Sequence, residues 1–344
     1  MPRKLGCAIH GAGWVAGEHL KAYRANPHCE VVAVSSRRAE GALQCAAYAG
    51  CGEAAIYTSL DDLLADDRVD VVSICTPHDR HASETIQAAR AGKHVLIEKP
   101  LCTTVDDMRA MRDAVRAAGV KTLVSFCLRW NPLFHNIRCL LDQGAIGRVF
   151  YAEVDYWNGI TPSYAGYSWI ITRKQGGSAL LAAGCHAVDA LRYFVGSEAV
   201  EVSAYSVPAT SDTPWEYDPT MVLTVRFANG AVGKVSACLD TLIPYSFNIN
   251  LLGSEGAIRN ERVFSTRLFP QQTDYASVPT IQPTTRDVTH HPFVAEIAAL
   301  VDAIRLDHRA LPDLDDAVRT HEICFGAAQA AETGKPVALP LLAD

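Results

Sequence analysis

The chain has 344 residues, 49% hydrophobic and 20% charged, which is enough apolar material for two packed domains and excludes a disordered or fibrous polypeptide. A formal net charge of −7, from 31 basic and 38 acidic groups with no basic stripe, gives no footprint for nucleic acid. The longest apolar runs, such as Val69–Cys75 with Asp70 inside, fall far short of the roughly 20 residues a membrane span needs.

The first part alternates. Short runs rich in Val and Ile (Lys4–His10, Val31–Ser35, Val69–Thr76, His94–Glu98, Lys121–Ser125) predict strands. Between them Val15–Ala25, Ala39–Tyr48, Leu60–Ala65, His81–Ala91 and Val105–Ala118 have helical spacing, with Gly92 and Gly119 placed as helix-ending glycines. This rhythm predicts an α/β fold with a parallel, doubly wound sheet buried on both faces. The pattern changes near residue 125, so residues 1–124 and 125–344 are read as two domains. Phe126–Pro132 reads as a crossing segment and Leu133–Gln143 as a short helix. Longer strands with period-two alternation follow: Val149–Trp157, Val200–Tyr205, Thr220–Phe227, Ala231–Leu239 and Phe247–Leu252, with a hairpin signal at Asn229-Gly230. Gly177–Phe194 predicts a helix entered by glycine, and residues 292–306 and 315–332 predict terminal helices. Stretches 207–219 and 270–286 read as loops.

The run into the first strand begins at once, with no apolar leader and no small-residue cleavage site, so no secretory signal is read. The 11 cysteines are odd in number, scattered, and without Cys-x-x-Cys. Reduced thiols in the core of a cytoplasmic protein are the expectation.

Gly11-Ala12-Gly13-Trp14-Val15-Ala16 follows the first strand and opens the first helix. It has the G-x-G-x-x-A pattern of a dinucleotide-binding turn: Gly11 for the tight bend, Gly13 for backbone approach to a pyrophosphate, Ala16 for close helix–strand packing. The helix N-terminus then offers free N–H groups and a positive dipole end to phosphate. At the end of the second strand an NAD site usually places a carboxylate for the ribose 2′-hydroxyl. Here Ser35-Ser36-Arg37-Arg38 stands there, with no carboxylate before Glu40. Two hydroxyls and two guanidinium groups suit a 2′-phosphate, so NADP(H) is favoured, with NAD(H) as the alternative.

Three further signals combine with the glycine loop: Thr76-Pro77-His78 with His81, Glu98-Lys99-Pro100, and Gly184-Cys185-His186 with Asp189. Together they resemble the Gfo/Idh/MocA family of nicotinamide-dependent oxidoreductases, over nearly the whole chain. His291-Pro292-Phe293 and Gly334-Lys335-Pro336-Val337 extend the likeness to the closing helices and tail. The resemblance implies an N-terminal Rossmann domain and a C-terminal α+β domain on a large open, mostly antiparallel sheet whose outer face makes homo-oligomers, dimers or tetramers. It implies that Lys99 and His186 are catalytic: Lys99 beside the nicotinamide on the reacting oxygen, His186 as proton acceptor in alcohol oxidation and donor in ketone reduction. Pro100 shapes the turn, in a cis bond as in relatives. Glu98 orients the backbone or the nicotinamide, and Thr76, Pro77 and His81 line the ring pocket. The chemistry agrees: a histidine suits proton transfer near neutrality, and an ammonium stabilises alkoxide charge.

One departure is Ala182, where inositol-dehydrogenase-like members carry aspartate four residues before the histidine. Its absence removes a substrate-hydroxyl partner or an orienting group and speaks against inositol itself. Asp189 either orients the His186 imidazole or braces the helix. Arg129 (in Arg129-Trp130-Asn131-Pro132), Tyr156, Trp169 and Cys185 complete the substrate-side candidates, with Trp157, Asn158 and Tyr164 near them; aromatic faces suit a sugar ring, and core packing is the competing explanation. Neither His290-His291 nor His78 with His81 has further ligands at metal spacing, so no metal is expected. The expected activity is hydride transfer between a nicotinamide and a ring hydroxyl or ketone of a sugar, glycoside or polyol. The alternatives are a glycosidase that uses tightly bound nucleotide for transient oxidation at C3 and elimination, and a non-catalytic nucleotide-sensing protein.

Overall fold

A computed structural model describes residues 3–283 and 291–342, in two compact units: 1–125 with 292–318, and 126–291 with 319–344. The first unit opens with β1 (Leu5–His10), α1 (Trp14–Ala25), β2 (Cys29–Ser35), α2 (Ala39–Tyr48), β3 (Ala55–Tyr57), α3 (Leu60–Leu64) and β4 (Val71–Ile74). It continues with α4 (His81–Arg90), β5 (His94–Ile97), α5 (Val105–Ala118) and β6 (Thr122–Val124). The six strands form one parallel sheet in the order β3-β2-β1-β4-β5-β6. The order reverses at β1, so β1 and β4 flank the crevice in which doubly wound folds bind ligands at the carboxyl ends of their strands. β1, β4 and β5 are apolar along most of their length because helices cover both faces. Local chemistry sets the helix ends. Ser59 accepts the N–H groups of Asp61 and Asp62 at α3, and Thr104 accepts that of Asp107 at α5. Gly119 ends α5 at φ 65°, a left-handed conformation that costs glycine little. In this sheet β3 is the strand that sequence patterning missed; three half-buried edge residues leave little periodicity to read.

The second unit contains α6 (Pro132–Asp142), β7 (Val149–Trp157), α7 (Tyr167–Ile170), a π-helical turn (Leu180–Gly184), α8 (Cys185–Val195), β8 (Ala199–Val207), β9 (Thr220–Phe227), β10 (Val232–Cys238) and β11 (Ser246–Gly253). β12 (Gly256–Arg259), β13 (Arg262–Ser265) and β14 (Ala276–Ser277) follow. After the helices α9 (Phe293–Arg305) and α10 (Leu314–Thr333), the short strand β15 (Val337–Ala338) pairs antiparallel with β8. The nine-stranded sheet runs β14-β13-β12-β11-β7-β10-β9-β8-β15, antiparallel except for the parallel β7–β10 pair. This is the expected open, mostly antiparallel sheet. β14 lies within the stretch 270–286 read as a loop, of which residues 284–286 are outside the described set, as is His290.

The segment 292–318, which the division at 124/125 assigns to the second domain, packs with the first unit. α9 lies along α1, with Phe293 against Trp14 and His19 at ring-centroid separations of 6.3 and 5.2 Å. Chain order carries no trace of such a return. α10 passes from the first unit, up to Val318, into the second.

Candidate active site

The nucleotide-side candidates lie in the first unit. Gly11 sits at φ 115°, and a Cβ there would lie 2.3 Å from the carbonyl oxygen of Cys75. Only glycine fits this turn. A Cβ on Gly13 would instead meet open space, and no side chain caps α1. The loop thus presents backbone N–H groups at a vacant approach, the cradle a pyrophosphate requires. Ala16 is fully buried, Trp14 exposed and Val15 between.

The second-strand candidates separate. Ser35 is fully buried; its hydroxyl meets His10 Nδ1 at 3.1 Å and donates to the carbonyl of Ser59 at 3.3 Å. The alternation of β2 turns this hydroxyl inward, under the loop. Ser36 is half-buried, and Arg37 and Arg38 are exposed. The next carboxylate, Glu40, is exposed and accepts from Gln44 at 3.2 Å.

Behind the loop lie buried groups that sequence reasoning did not single out. His10 Nε2 is 3.3 Å from Glu84 Oε1, and Thr76 donates its hydroxyl to Glu84 Oε2. Burial opposes ionisation of Glu84; His10, Thr76 and Arg80 outweigh it and hold the carboxyl below its usual range. His81 is wholly buried, with Nδ1 2.7 Å from the carbonyl oxygen of Pro100 and Nε2 2.8 Å from that of Thr76. Pro77 and Thr76 are half-buried at the end of β4.

Lys99 follows β5, and the Lys99–Pro100 bond is cis, as expected. The buried Glu98 carboxylate accepts the backbone N–H of Lys99 at 3.1 Å through Oε2, while Oε1 lies 3.2 Å from His19 Nε2. Burial again works against the charge, and His19, Lys99 and Ser125 overcome it, so Glu98 is held below the ordinary carboxylate range. Ser125 also donates to Glu296 Oε2 at 3.2 Å, from α9. Glu296 is fully buried beside Glu98, and both circumstances push its carboxyl well above the usual range. No local sequence pattern marks His10, His19, Glu84 or Glu296, because their meaning comes from strands and helices far apart in the chain.

His186 lies in the second unit. It occupies the first turn of α8, nearly buried, with Tyr156 stacked at 6.4 Å and 19° and Phe126 edge-on at 5.9 Å. Gly184 is explained by packing: a Cβ there would stand 2.6 Å from Cβ of Ala237 on β10. The π turn ahead of it includes Ala182, whose side chain is buried. Such turns recur at functional sites because they re-aim the residues that follow.

Asp189 braces the fold. Arg129 Nε donates to Oδ2 at 2.8 Å and Nη2 to Oδ1 at 2.7 Å, and Thr320 donates to Oδ1 at 3.1 Å. This assigns Asp189 to the bracing alternative and accounts for Arg129, which the sequence placed on the substrate side, as its buried partner. Cys185 has no exposure, and its thiol lies 3.9 Å from the carbonyls of Leu181 and Ala183. Tyr156 faces Tyr245 and Phe247 at 5.3 and 6.2 Å, and Asn158 reaches its hydroxyl at 3.5 Å. Trp157 points to the opposite face of the sheet, where its indole donates to Ser236 at 2.8 Å. Trp169 is half-buried in α7, packed over Gly166. All 11 cysteines are free thiols. Among the described residues no group of three or more His, Cys, Asp or Glu is placed to hold a metal ion, and no helix is long and apolar enough to cross a membrane.

Two family models match the chain: the oxidoreductase family NAD-binding Rossmann fold over residues 5–126, and the oxidoreductase family C-terminal alpha/beta domain over residues 138–339. The chain belongs to the Gfo/Idh/MocA family. Among relatives in this family, a 1,5-anhydro-D-fructose reductase of Ensifer adhaerens is 31% identical over 264 residues, 76% of each chain. A scyllo-inositol 2-dehydrogenase (NAD(+)) of Bacillus subtilis is 26% identical over 350 residues, 98% of this chain and 97% of its own. The solved structure of a levoglucosan dehydrogenase in complex with NADH superposes with a TM-score of 0.89 at 25% identity, covering 99% of this chain and all of the other. As a Gfo/Idh/MocA protein the chain is thus an oxidoreductase with a nicotinamide-nucleotide domain.

Proposed function

We propose that this protein transfers a hydride between NADP(H), with NAD(H) as the lesser partner, and a ring hydroxyl or ketone of a sugar, glycoside or polyol. The observation that carries the reading is the Lys99 turn. A buried carboxylate, held ionised, grips the backbone of Lys99 at the carboxyl end of β5 in a six-stranded parallel sheet. That is the edge at which doubly wound sheets bind nucleotides. The bound nicotinamide supplies the hydride acceptor or donor. In oxidation the Lys99 ammonium stabilises the developing alkoxide, and His186 takes the hydroxyl proton. Tyr156 and Trp169 are the aromatic surfaces for the carbohydrate. Names of relatives support the substrate class: levoglucosan, scyllo-inositol and 1,5-anhydro-D-fructose.

The NADP(H) preference rests on Ser36, Arg37 and Arg38 at the end of β2, all with some exposure and followed by no acidic residue before Glu40. Guanidinium groups there reward a 2′-phosphate. We further propose a homo-oligomer formed through the outer face of the nine-stranded sheet. Tyr205 and Val222 oppose each other there, and Tyr205 is 79% exposed.

The deciding experiment follows absorbance near 340 nm with each oxidised nucleotide and a panel of levoglucosan, inositols and xylose. A steady rise with one of them, faster with the phosphorylated nucleotide, is the expected result. Nucleotide binding without turnover on any sugar, glycoside or polyol would overturn the catalytic reading.

A further inference from the structure

The ring of His81 has both nitrogens against carbonyl oxygens, Pro100 at 2.7 Å and Thr76 at 2.8 Å, and no exposure to solvent. Carbonyl oxygens only accept. A neutral imidazole has a single N–H, so one of the two contacts would set lone pair against lone pair; an imidazolium satisfies both. The two carbonyls have distinct origins. Thr76 ends the run out of β4, while Pro100 immediately follows Lys99. The same turn is gripped a second time, by Glu98 on the Lys99 N–H at 3.1 Å. Lys99 therefore stands between two fixed peptide groups.

We propose that His81 is a positioning residue for Lys99: a buried imidazolium that ties the Lys99–Pro100 turn to the end of β4, and not a wall of the nicotinamide pocket. The inference rests on the role proposed above for Lys99. The surrounding groups fit a charged bridge. The Glu84 carboxylate, one turn along α4, binds the hydroxyl of the same Thr76 whose carbonyl faces His81. His78 from the preceding turn lies 5.7 Å away ring to ring, and Glu98 and Lys99 immediately precede Pro100. The two segments that His81 joins are each held by a carboxylate as well, Thr76 by Glu84 and the Lys99 N–H by Glu98. Buried charge is tolerated where full hydrogen bonding exists.

Two measurements test this. The first is nitrogen-15 spectroscopy of the full-length wild-type protein at pH 7.5, with the His81 ring assigned through its own backbone amide. Two slowly exchanging ring N–H protons on His81 are expected; a single one overturns the charged bridge. The second compares His81→Gln and His81→Phe with wild type, using the nucleotide and sugar found active. A kcat lowered at least tenfold with the nucleotide Kd changed less than threefold is expected. An unchanged kcat, or a nucleotide Kd raised tenfold or more, overturns the positioning role. If no sugar is turned over by wild type, the reading of Lys99 fails on its own, and the ring protons still decide the bridge.

Discussion

Arg129 and Asp189 hold each other through two parallel hydrogen bonds, 2.8 Å from Nε to Oδ2 and 2.7 Å from Nη2 to Oδ1, although 60 residues separate them. Both side chains are more than nine-tenths buried. Removing one partner takes the opposite charge away from a buried ion, at a cost of about 3–5 kcal/mol. Asp189→Ala should therefore lower stability by that amount, measured by urea denaturation. Arg129→Lys should rescue little, since an ammonium does not reproduce the two-pronged geometry. A loss under 1 kcal/mol in Asp189→Ala would show that the pair is not a brace.

Lys99→Met and His186→Asn should each lower kcat by about 10²–10⁴, the range for a positioned proton-transfer or charge-stabilising group. Nucleotide affinity should stay within a few fold if, as proposed, the phosphates rest on the glycine loop and not on these two side chains. Initial rates and nucleotide titration check both statements. Retention of full activity by either variant would remove that residue from the mechanism.

Ser36→Asp combined with Arg37→Ala should move relative affinity toward NAD(H) by at least about tenfold, or 1.4 kcal/mol, through a new ribose partner and a lost phosphate partner. The ratio of the two nucleotide Kd values is the measurement. An unchanged ratio would place 2′-phosphate recognition elsewhere.

Gly184→Ala should destabilise the protein by about 1–3 kcal/mol, the usual cost of forcing an extra methyl into a packed core. The new Cβ meets Cβ of Ala237 at 2.6 Å and the carbonyl oxygen of Ala179 at 3.1 Å, and neither is a flexible chain end. The shift falls two residues before His186, so kcat should fall with Tm. A variant as stable as wild type would show that α8 can back away from β10 at no cost.

Glu296 gives a pH dependence of definite sign. Its folded-state carboxyl is raised by burial and by Glu98. The native state therefore binds its proton more tightly than the unfolded chain does, and this stabilisation is complete below the unfolded value near 4.3. It is lost as pH rises toward the folded value, at up to about 1.4 kcal/mol per pH unit. Glu296→Gln does not titrate. Its stability relative to wild type should rise between pH 5 and 8, as followed by denaturation at each pH. A difference that stays flat with pH would mean the carboxyl is not raised.

Much of this was legible in the amino-acid order. Period-two and helical spacing, with helix-ending glycines such as Gly119, predict the alternating first unit and the longer strands of the second. These are local effects, since backbone preference and one-sided burial act within a few residues. The glycine loop is legible for the same reason: Gly11 needs its positive φ whatever surrounds it. The Lys99 turn and the histidine after Gly184 were found by their resemblance to a family, which their own spacing does not supply. Edge strands such as β3 and β14 escaped, being too short to show a period.

What only the tertiary structure decided is which side chains meet. In the structure the Ser35 hydroxyl meets His10, and Asp189 accepts a hydrogen bond from Arg129 on each of its oxygens. Glu296, on a helix near the end of the chain, joins the first unit against Ser125 and stands 198 positions from the Glu98 whose charge it feels. Burial and long-range pairing set the charge of these groups, and both depend on distances in space that sequence separation does not encode.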